Sequence, residues 1–257
     1  MTTRSPHNIL ITGATGAIGS ALARTYATSG VRLILHGRNP DRLQEVRQAC
    51  ERLGAVVDCF TLDVRCIEPL RTWVREVDRA TPLNLVIANA GVNIDIGADG
   101  RGEPWEAAEA LLDTNIRATM ALVSAVLPGM RARQSGQIAL ISSLAAYFGL
   151  PVTPSYCASK AAVKAYGEAL RGWLAAEGIR VNVVMPGYVD SPMCRAMPGP
   201  KPFLLRPEQA ARLIRTGLEK NTARISFPFP LNFGTWALSV LPAHLSQRIV
   251  RWAGYGS

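Results

Sequence analysis

Two residues of this chain are matched for proton chemistry by type and spacing: Tyr156 and Lys160 in Tyr156-Cys157-Ala158-Ser159-Lys160. On a helix, positions i and i+4 share a face, so the phenol and the ammonium enter the same space. A nearby cation stabilises phenolate and lowers a tyrosine pKa from about 10 toward neutrality, which suits the hydroxyl to proton transfer. An amphipathic surface helix offers the same pair without any chemistry. Ser143, at the end of an aliphatic strand upstream, adds a hydroxyl that could hold a substrate oxygen.

A second constellation lies near the start, in Thr12-Gly13-Ala14-Thr15-Gly16-Ala17-Ile18-Gly19, which joins a strand to a helix. Glycines here let the backbone turn sharply and approach a pyrophosphate, whose charge meets the helix N-terminus. The first two glycines are spaced more widely than in the commoner G-x-G-x-x-G, and glycine-rich strand-to-helix turns also occur as plain structure.

The elements that must position these residues read from the hydrophobic pattern. Short aliphatic runs at Asn8 to Thr12, Val31 to His36, Val56 to Thr61, Leu85 to Ala88, Gln137 to Ser142 and Val181 to Val184 predict buried strands. Helical spacing predicts helices over Ala17 to Ser29, Asp41 to Leu53 and Ile67 to Arg79 between them. The alternation implies an α/β fold in which one parallel sheet is covered on both faces. Two stretches stand outside it: Asn93 to Glu103, rich in Gly and Asp and read as a mobile connection, and Asp190 to Arg206, whose prolines forbid a regular helix through it. Both follow the carboxyl ends of strands, where open α/β sheets bind ligands, so both are candidate walls of a substrate site.

Composition narrows the class. The chain has 257 residues, 48% hydrophobic and 18% charged, enough apolar material for one large core and too few charges for disorder. The net charge of +9 is scattered as single arginines, which favours anionic ligands and argues against nucleic acid. Five cysteines without a C-x-x-C pair argue against a disulfide framework and a zinc site; no metal is expected. The apolar run after Met1 to Asn8 is too short for a signal peptide, so a cytoplasmic location is expected.

Four separated motifs now agree in order: Thr12 to Gly19, Asn89-Ala90-Gly91 after the fourth strand, Ser143 with Tyr156 and Lys160, and Pro186-Gly187-Tyr188-Val189 after the sixth. Together they make roughly residues 8 to 220 resemble the short-chain dehydrogenase/reductase family. Asn115, in Asp113-Thr114-Asn115-Ile116, stands where the family pattern has an Asn in the fourth helix. The resemblance implies a Rossmann-like doubly wound sheet and a single catalytic domain that binds a nicotinamide cofactor. It implies that Tyr156 is the general acid in carbonyl reduction and the base in alcohol oxidation, that Lys160 lowers its pKa and bonds the nicotinamide ribose, that Ser143 polarises the carbonyl, and that Asn115 fixes a water relaying protons to Lys160. It also implies cofactor contacts from Thr12, Gly13, Thr15, Gly16, Ala17, Ile18, Gly19, Asn89, Ala90, Gly91, Pro186, Gly187 and Val189. Ser191 stands in place of the family's Thr at the carboxamide, and Asp63-Val64 matches the adenine-edge contact.

The choice of cofactor has a physical argument. An NAD enzyme wants a carboxylate about twenty residues past the glycines to bond both ribose hydroxyls. This chain has His36-Gly37-Arg38 there, and Arg38 can pair with a 2′-phosphate, a charge-assisted contact that predicts NADPH over NADH. A homodimer or tetramer is expected from the family, although this chain lacks the Val-Asp-Gly-Gly type tail that joins tetramers.

Instead, Ile225 to Leu245 contains no Asp, Glu, Lys or Arg, and its prolines break any helix long enough to span a bilayer. The chain is therefore read as a catalytic domain over residues 1–224 and an apolar extension over 225–257. The extension is a lid on the substrate pocket, an oligomer contact, or a surface lying in a membrane interface with Arg248 and Arg251 near lipid phosphates. All three favour a bulky or lipid-like carbonyl or alcohol substrate. A sugar or polyketide-like intermediate of surface polysaccharide synthesis, and a silent cofactor-binding regulator, are the competing readings.

Overall fold

The structure, a computed structural model, describes residues 7–97 and 100–255. Its seven strands are β1 (Asn8–Ile11), β2 (Arg32–His36), β3 (Val56–Phe60), β4 (Leu85–Ala88), β5 (Gly136–Ile141), β6 (Ile179–Pro186) and β7 (Arg224–Phe227). All pair in parallel in the order β3-β2-β1-β4-β5-β6-β7. The sheet reverses its order between β1 and β4, which leaves a crevice beyond their carboxyl ends. Helices cover both faces of the central strands, so β4 and β5 are buried at every residue, and the one polar side chain among them, Gln137, donates to Asn182 Oδ1 and Leu218 O.

The first six strands fall where hydrophobic runs predict them. The seventh does not follow from the pattern, because Arg224-Ile225-Ser226-Phe227 is short and merges with the apolar run after it. Its Phe227 pairs with Pro186 of β6, so the expected 224/225 boundary falls inside a strand of the sheet.

Helices α1 (Ala17–Tyr26), α2 (Pro40–Glu51) and α3 (Ile67–Ala80) close the first half. The start of α2 is set by Asn39, whose side chain accepts from the Arg42 N–H at 2.9 Å, with Pro40 in the first turn. The helical run that carries Asn115 is three pieces: α4 (Trp105–Leu112), a π turn over Asp113–Arg117, and α5 (Ala118–Ala132). By length and composition this run could cross a bilayer, yet it packs inside the fold against α3 and the sheet. Where α3 meets α5, Arg133 donates to both Asp78 carboxylate oxygens at 2.9 and 3.0 Å, and Asp78 also accepts from Leu83 N.

The second half holds α6 (Pro154–Leu174), the one-turn α7 (Pro192–Ala196), α8 (Pro207–Glu219), α9 (Leu231–Val240) and α10 (Ala243–Val250), followed by a kinked terminal turn over Arg251–Tyr255 in which Gly254 leaves the helical region at φ +87°. The short α7 is the only regular helix that the proline-rich Asp190 to Arg206 permits. Two large apolar clusters lie one on each face of the sheet, and a third, small one of Leu144, Val183 and Met185 packs against Leu231 of α9.

Candidate active site

A cavity of about 780 Å³ opens over the carboxyl ends of the central strands. The glycine turn forms one end of it. Gly13 has φ +65°, and a Cβ there would sit 2.9 Å from Ala90 Cα; a Cβ on Gly19 would sit 2.3 Å from Gly13 O. Gly16 is the N-cap of α1, offers no side chain to the first-turn N–H groups, and no acid stands in that turn. The helix end is thus free to meet an anion. These features fit a pyrophosphate, since the backbone comes as close as only glycine allows and presents N–H groups.

Thr12 and Asn89 build the turn from behind. Thr12 Oγ1 accepts from the N–H groups of Asn89 and Ala90 at 3.0 and 3.1 Å, and Asn89 Nδ2 donates to the carbonyls of Thr12 and Gly13 at 2.9 and 3.1 Å. Thr12 and Gly19 are buried and lie off the cavity wall, whereas Gly13, Thr15, Gly16, Ala17, Ile18, Asn89, Ala90 and Gly91 line it.

A residue missed in the sequence braces this turn. Buried His36, at the end of β2, accepts from Gly13 N–H through Nδ1 at 3.4 Å and meets Leu62 O through Nε2 at 2.9 Å. Those partners assign the proton to Nε2. Burial lowers its pKa, which keeps the ring neutral. A lone His inside an apolar strand gives no sequence signal of that bridge.

Past His36, a Cβ at Gly37 would lie 2.7 Å from Thr15 Cγ2, so a carboxylate here would have to displace Thr15. Arg38 is exposed on the rim, and Arg42 lines the same end of the cavity. The signal for Arg42 was its place one turn on, in the capped start of α2. Asp63 and Val64 also line the cavity, but Asp63 is gripped by Arg65 through its N–H and guanidinium at 2.6 to 3.2 Å, which holds its carboxyl below the usual range.

The proton-transfer group gathers at the middle. Ser143 follows β5, accepts from Ala145 N–H at 3.1 Å, lies 3.4 Å from Pro186 O and is hydrogen-bonded to Tyr156. Lys160 sits one turn below Tyr156 on α6, its Nζ 5.6 Å from the ring centroid and donating to Ile141 O at 3.0 Å. Ser142 Oγ donates to Lys160 O at 2.7 Å and ties α6 to the strand end.

The expected lowering of the Tyr156 pKa is not what this arrangement produces. Burial pushes the phenol up to about 12, and the Ser143 hydrogen bond offsets only part of that. Burial also brings Lys160 down to about 8. The physical reason is that both groups are desolvated together and the ammonium faces the ring and a carbonyl, not the hydroxyl.

Asn115 lies behind this pair, in the π turn. Its Oδ1 accepts from Val92 N at 2.9 Å, while Nδ2 donates to Val92 O and to Ser159 Oγ, both at 3.0 Å. A Cβ on Gly91 would be 3.2 Å from Asn115 Oδ1 and 3.4 Å from Lys160 Nζ, so Gly91 lets the two come close. Asn115 is buried and off the cavity wall.

Pro186, Gly187, Val189 and Ser191 line the far side, as do Met193, Cys194 and Met197 from the proline-rich stretch. The other expected wall contributes Asn93 alone among its described residues. Its two ends are tied to the start of α6: Thr153 donates to Asn93 Oδ1 at 2.7 Å, and Glu103 accepts from Ser155 N at 3.0 Å. Residues 98–99 of that stretch lie outside the described residues.

A further wall comes from the apolar extension, with Leu231, Thr235 and Leu238 of α9, then Ile249, Val250 and Tyr255, and Phe148 and Leu150 before α6 add to the apolar lining. Tyr255 stacks on Tyr188 with ring centroids 6.5 Å apart and hydroxyls at 2.6 Å, and also donates to Pro200 O. Among the described residues no group of His, Cys, Asp and Glu could hold a metal ion.

A doubly wound parallel sheet with a glycine turn at its crevice and a Ser, Tyr and Lys beside it defines a nucleotide-binding oxidoreductase. The profile of the short chain dehydrogenases matches residues 7–199, and the chain belongs to that family, enzymes that interconvert CH–OH and C=O groups. It is 36% identical to an uncharacterized oxidoreductase of Myxococcus xanthus over 98% of this chain and 99% of that one. It is 32% identical to the ketoacyl reductase HetN of Nostoc sp. over 74% of this chain and 66% of that one. In fold it is similar to a short-chain dehydrogenase from Sphingobium yanoikuyae in complex with NADPH, with a TM-score of 0.80 at 23% identity over 95% of each chain.

Proposed function

We propose that this chain reduces a bulky, apolar carbonyl compound with NADPH. The observation that carries the reading is one continuous cavity joining the glycine turn and Arg38 to Tyr156, and Tyr156 to the apolar wall of α9. The turn and the α1 N-terminus would hold the pyrophosphate, and Arg38 with Arg42 the 2′-phosphate. When bound, the reduced nicotinamide supplies the hydride.

This chain's own residues then handle the substrate oxygen. The Ser143 hydroxyl donates a hydrogen bond to it and fixes its direction, and Tyr156 delivers the phenolic proton as charge develops there. With a pKa near 12, the phenol stays protonated across the physiological range and needs stabilisation as it becomes phenolate. The Lys160 ammonium, one turn away, supplies it. Asn115 holds Val92 and the α6 backbone through Ser159, which keeps Lys160 at its station. The name of HetN places a ketone on an acyl chain within the same substrate class.

Tyr156→Phe tests the mechanism by removing only the ionisable hydroxyl. NADPH-dependent turnover of a panel of aliphatic and acyl-chain ketones should fall by about 10²–10⁴ while the titrated affinity for NADPH persists. Turnover within a few-fold of the parent enzyme would overturn it.

A further inference from the structure

The extension that lines the cavity has a second apolar face, and that face looks outward. On α9, Leu231, Thr235 and Leu238 line the cavity, while Phe229 just before the helix and Phe233, Trp236 and Val240 along it are exposed. Their spacing of three to four residues sets them along one stripe, opposite the lining set. Leu241 at the end of α9 and Leu245 and Ile249 on α10 extend the exposed apolar set, and Trp252 in the terminal turn is 90% exposed. Eight large apolar side chains in 24 residues exceed the scattered singles of an ordinary soluble surface.

Charge decides what such a face meets. No Asp or Glu occurs after Glu219, while exposed Arg248 and Arg251 lie among the apolar residues. Lys201 stands at the edge, its Nζ donating to Gly199 O, and Gly199 packs on the Tyr255 ring. A second copy docking the same extension on this face would find no carboxylate side chain within it to answer its arginines. A bilayer with anionic headgroups answers both features, since tryptophan and arginine suit its interface and the apolar stripe its acyl boundary.

We propose that α9, α10 and the Arg251–Tyr255 turn form a membrane-docking face, and that the apolar carbonyl enters the cavity from the bilayer. Ile249 marks the route, because it is part exposed and also lines the cavity, so the outer face and the inner wall join there. The Tyr255 latch to Tyr188 and Pro200 holds the segment over the pocket. The entry route rests on the reductase reading, whereas docking itself does not.

The test uses the full chain and vesicles of phosphatidylcholine alone or with phosphatidylglycerol. The protein should sediment with the anionic vesicles at least tenfold more strongly than with the neutral ones. Phe233→Ser/Trp236→Ser/Trp252→Ser, three residues off the cavity wall, should lose that binding at least tenfold. It should keep turnover of a water-soluble ketone and lose it only for a ketone carried in the vesicles. Arg248→Glu/Arg251→Glu, which leaves the apolar stripe intact, should abolish the preference for anionic vesicles. No sedimentation of the parent protein, or equal sedimentation of the triple variant, would overturn the proposal. So would light scattering in which the triple substitution turns an oligomer into a monomer and the parent ignores vesicles. Vesicle binding in a protein that reduces no carbonyl would leave docking standing and remove the reductase reading instead.

Discussion

At the scale of single residues, burial sets the chemistry of the candidate centre more than proximity does. Tyr156 and Lys160 lie one turn apart, yet desolvation raises the phenol to about 12 and lowers the amine to about 8. Two consequences follow for pH. Between about 8 and the ordinary 10.5, the unfolded chain holds a proton at Lys160 that the folded chain does not, so this group makes stability rise with pH across that window and leaves it flat below. Under the proposed mechanism reductive turnover should have the opposite trend, because only a protonated Lys160 would support developing phenolate. It should fall as pH rises through about 8, and Lys160→Arg, whose charge does not titrate there, should move that limb upward. A turnover profile with an unmoved limb would assign the titration to another group. His36 acts through the glycine turn: its pKa is lowered by burial, so its contribution to stability is present above about 6.5 and is lost as pH falls below that value.

At the scale of elements, two junctions are open to measurement. The β2–α2 corner has Gly37 just after the end of β2, where an NAD-binding carboxylate would stand, and two cations, Arg38 and Arg42, beside it. Losing a charge-assisted bond is worth about 1.5–3 kcal/mol, so Arg38→Ala should weaken NADPH by roughly 10–100-fold and leave NADH nearly unchanged. The double variant with Arg42→Ala should lose more; equal losses for both dinucleotides, read by fluorescence titration, would show that the corner does not read the phosphate. The α3–α5 junction is held by the Asp78–Arg133 pair, with Asp78 buried and Arg133 three-quarters covered. Removing one partner of a buried pair costs about 3–5 kcal/mol, so Asp78→Ala should lower the urea midpoint by that equivalent without altering cofactor affinity.

For the whole molecule, two apolar surfaces remain, on opposite roles. Trp105 on α4 and Trp173 on α6 are 68% and 60% exposed, and these two helices pack on each other, which makes their outer face the candidate for the subunit contact that a homodimer needs. Light scattering at micromolar concentration should give at least a dimer, and Trp173→Glu should shift it toward monomer. A monomeric parent protein would exclude that contact. The extension beyond β7 is part of the catalytic body at its inner face, so deletion of residues 231–257 should destabilise the fold and abolish turnover of apolar ketones together. Retained activity in that shortened chain would separate the segment from the pocket.

The sequence alone determined what is local or periodic. Aliphatic runs located six of the seven strands, helical spacing located α1, α2 and α3, and the glycine turn and Ser143 followed from their places at the carboxyl ends of predicted strands, because a parallel sheet brings those ends to one edge. The tertiary structure alone decided matters that depend on distant partners. It made β7 a strand by pairing it with Pro186, put Asn115 and Thr12 behind the wall, and turned His36 into a brace for the glycine turn. It also reversed the expected direction of the Tyr156 shift, since desolvation is a property of everything packed around a group and no spacing along the chain encodes it.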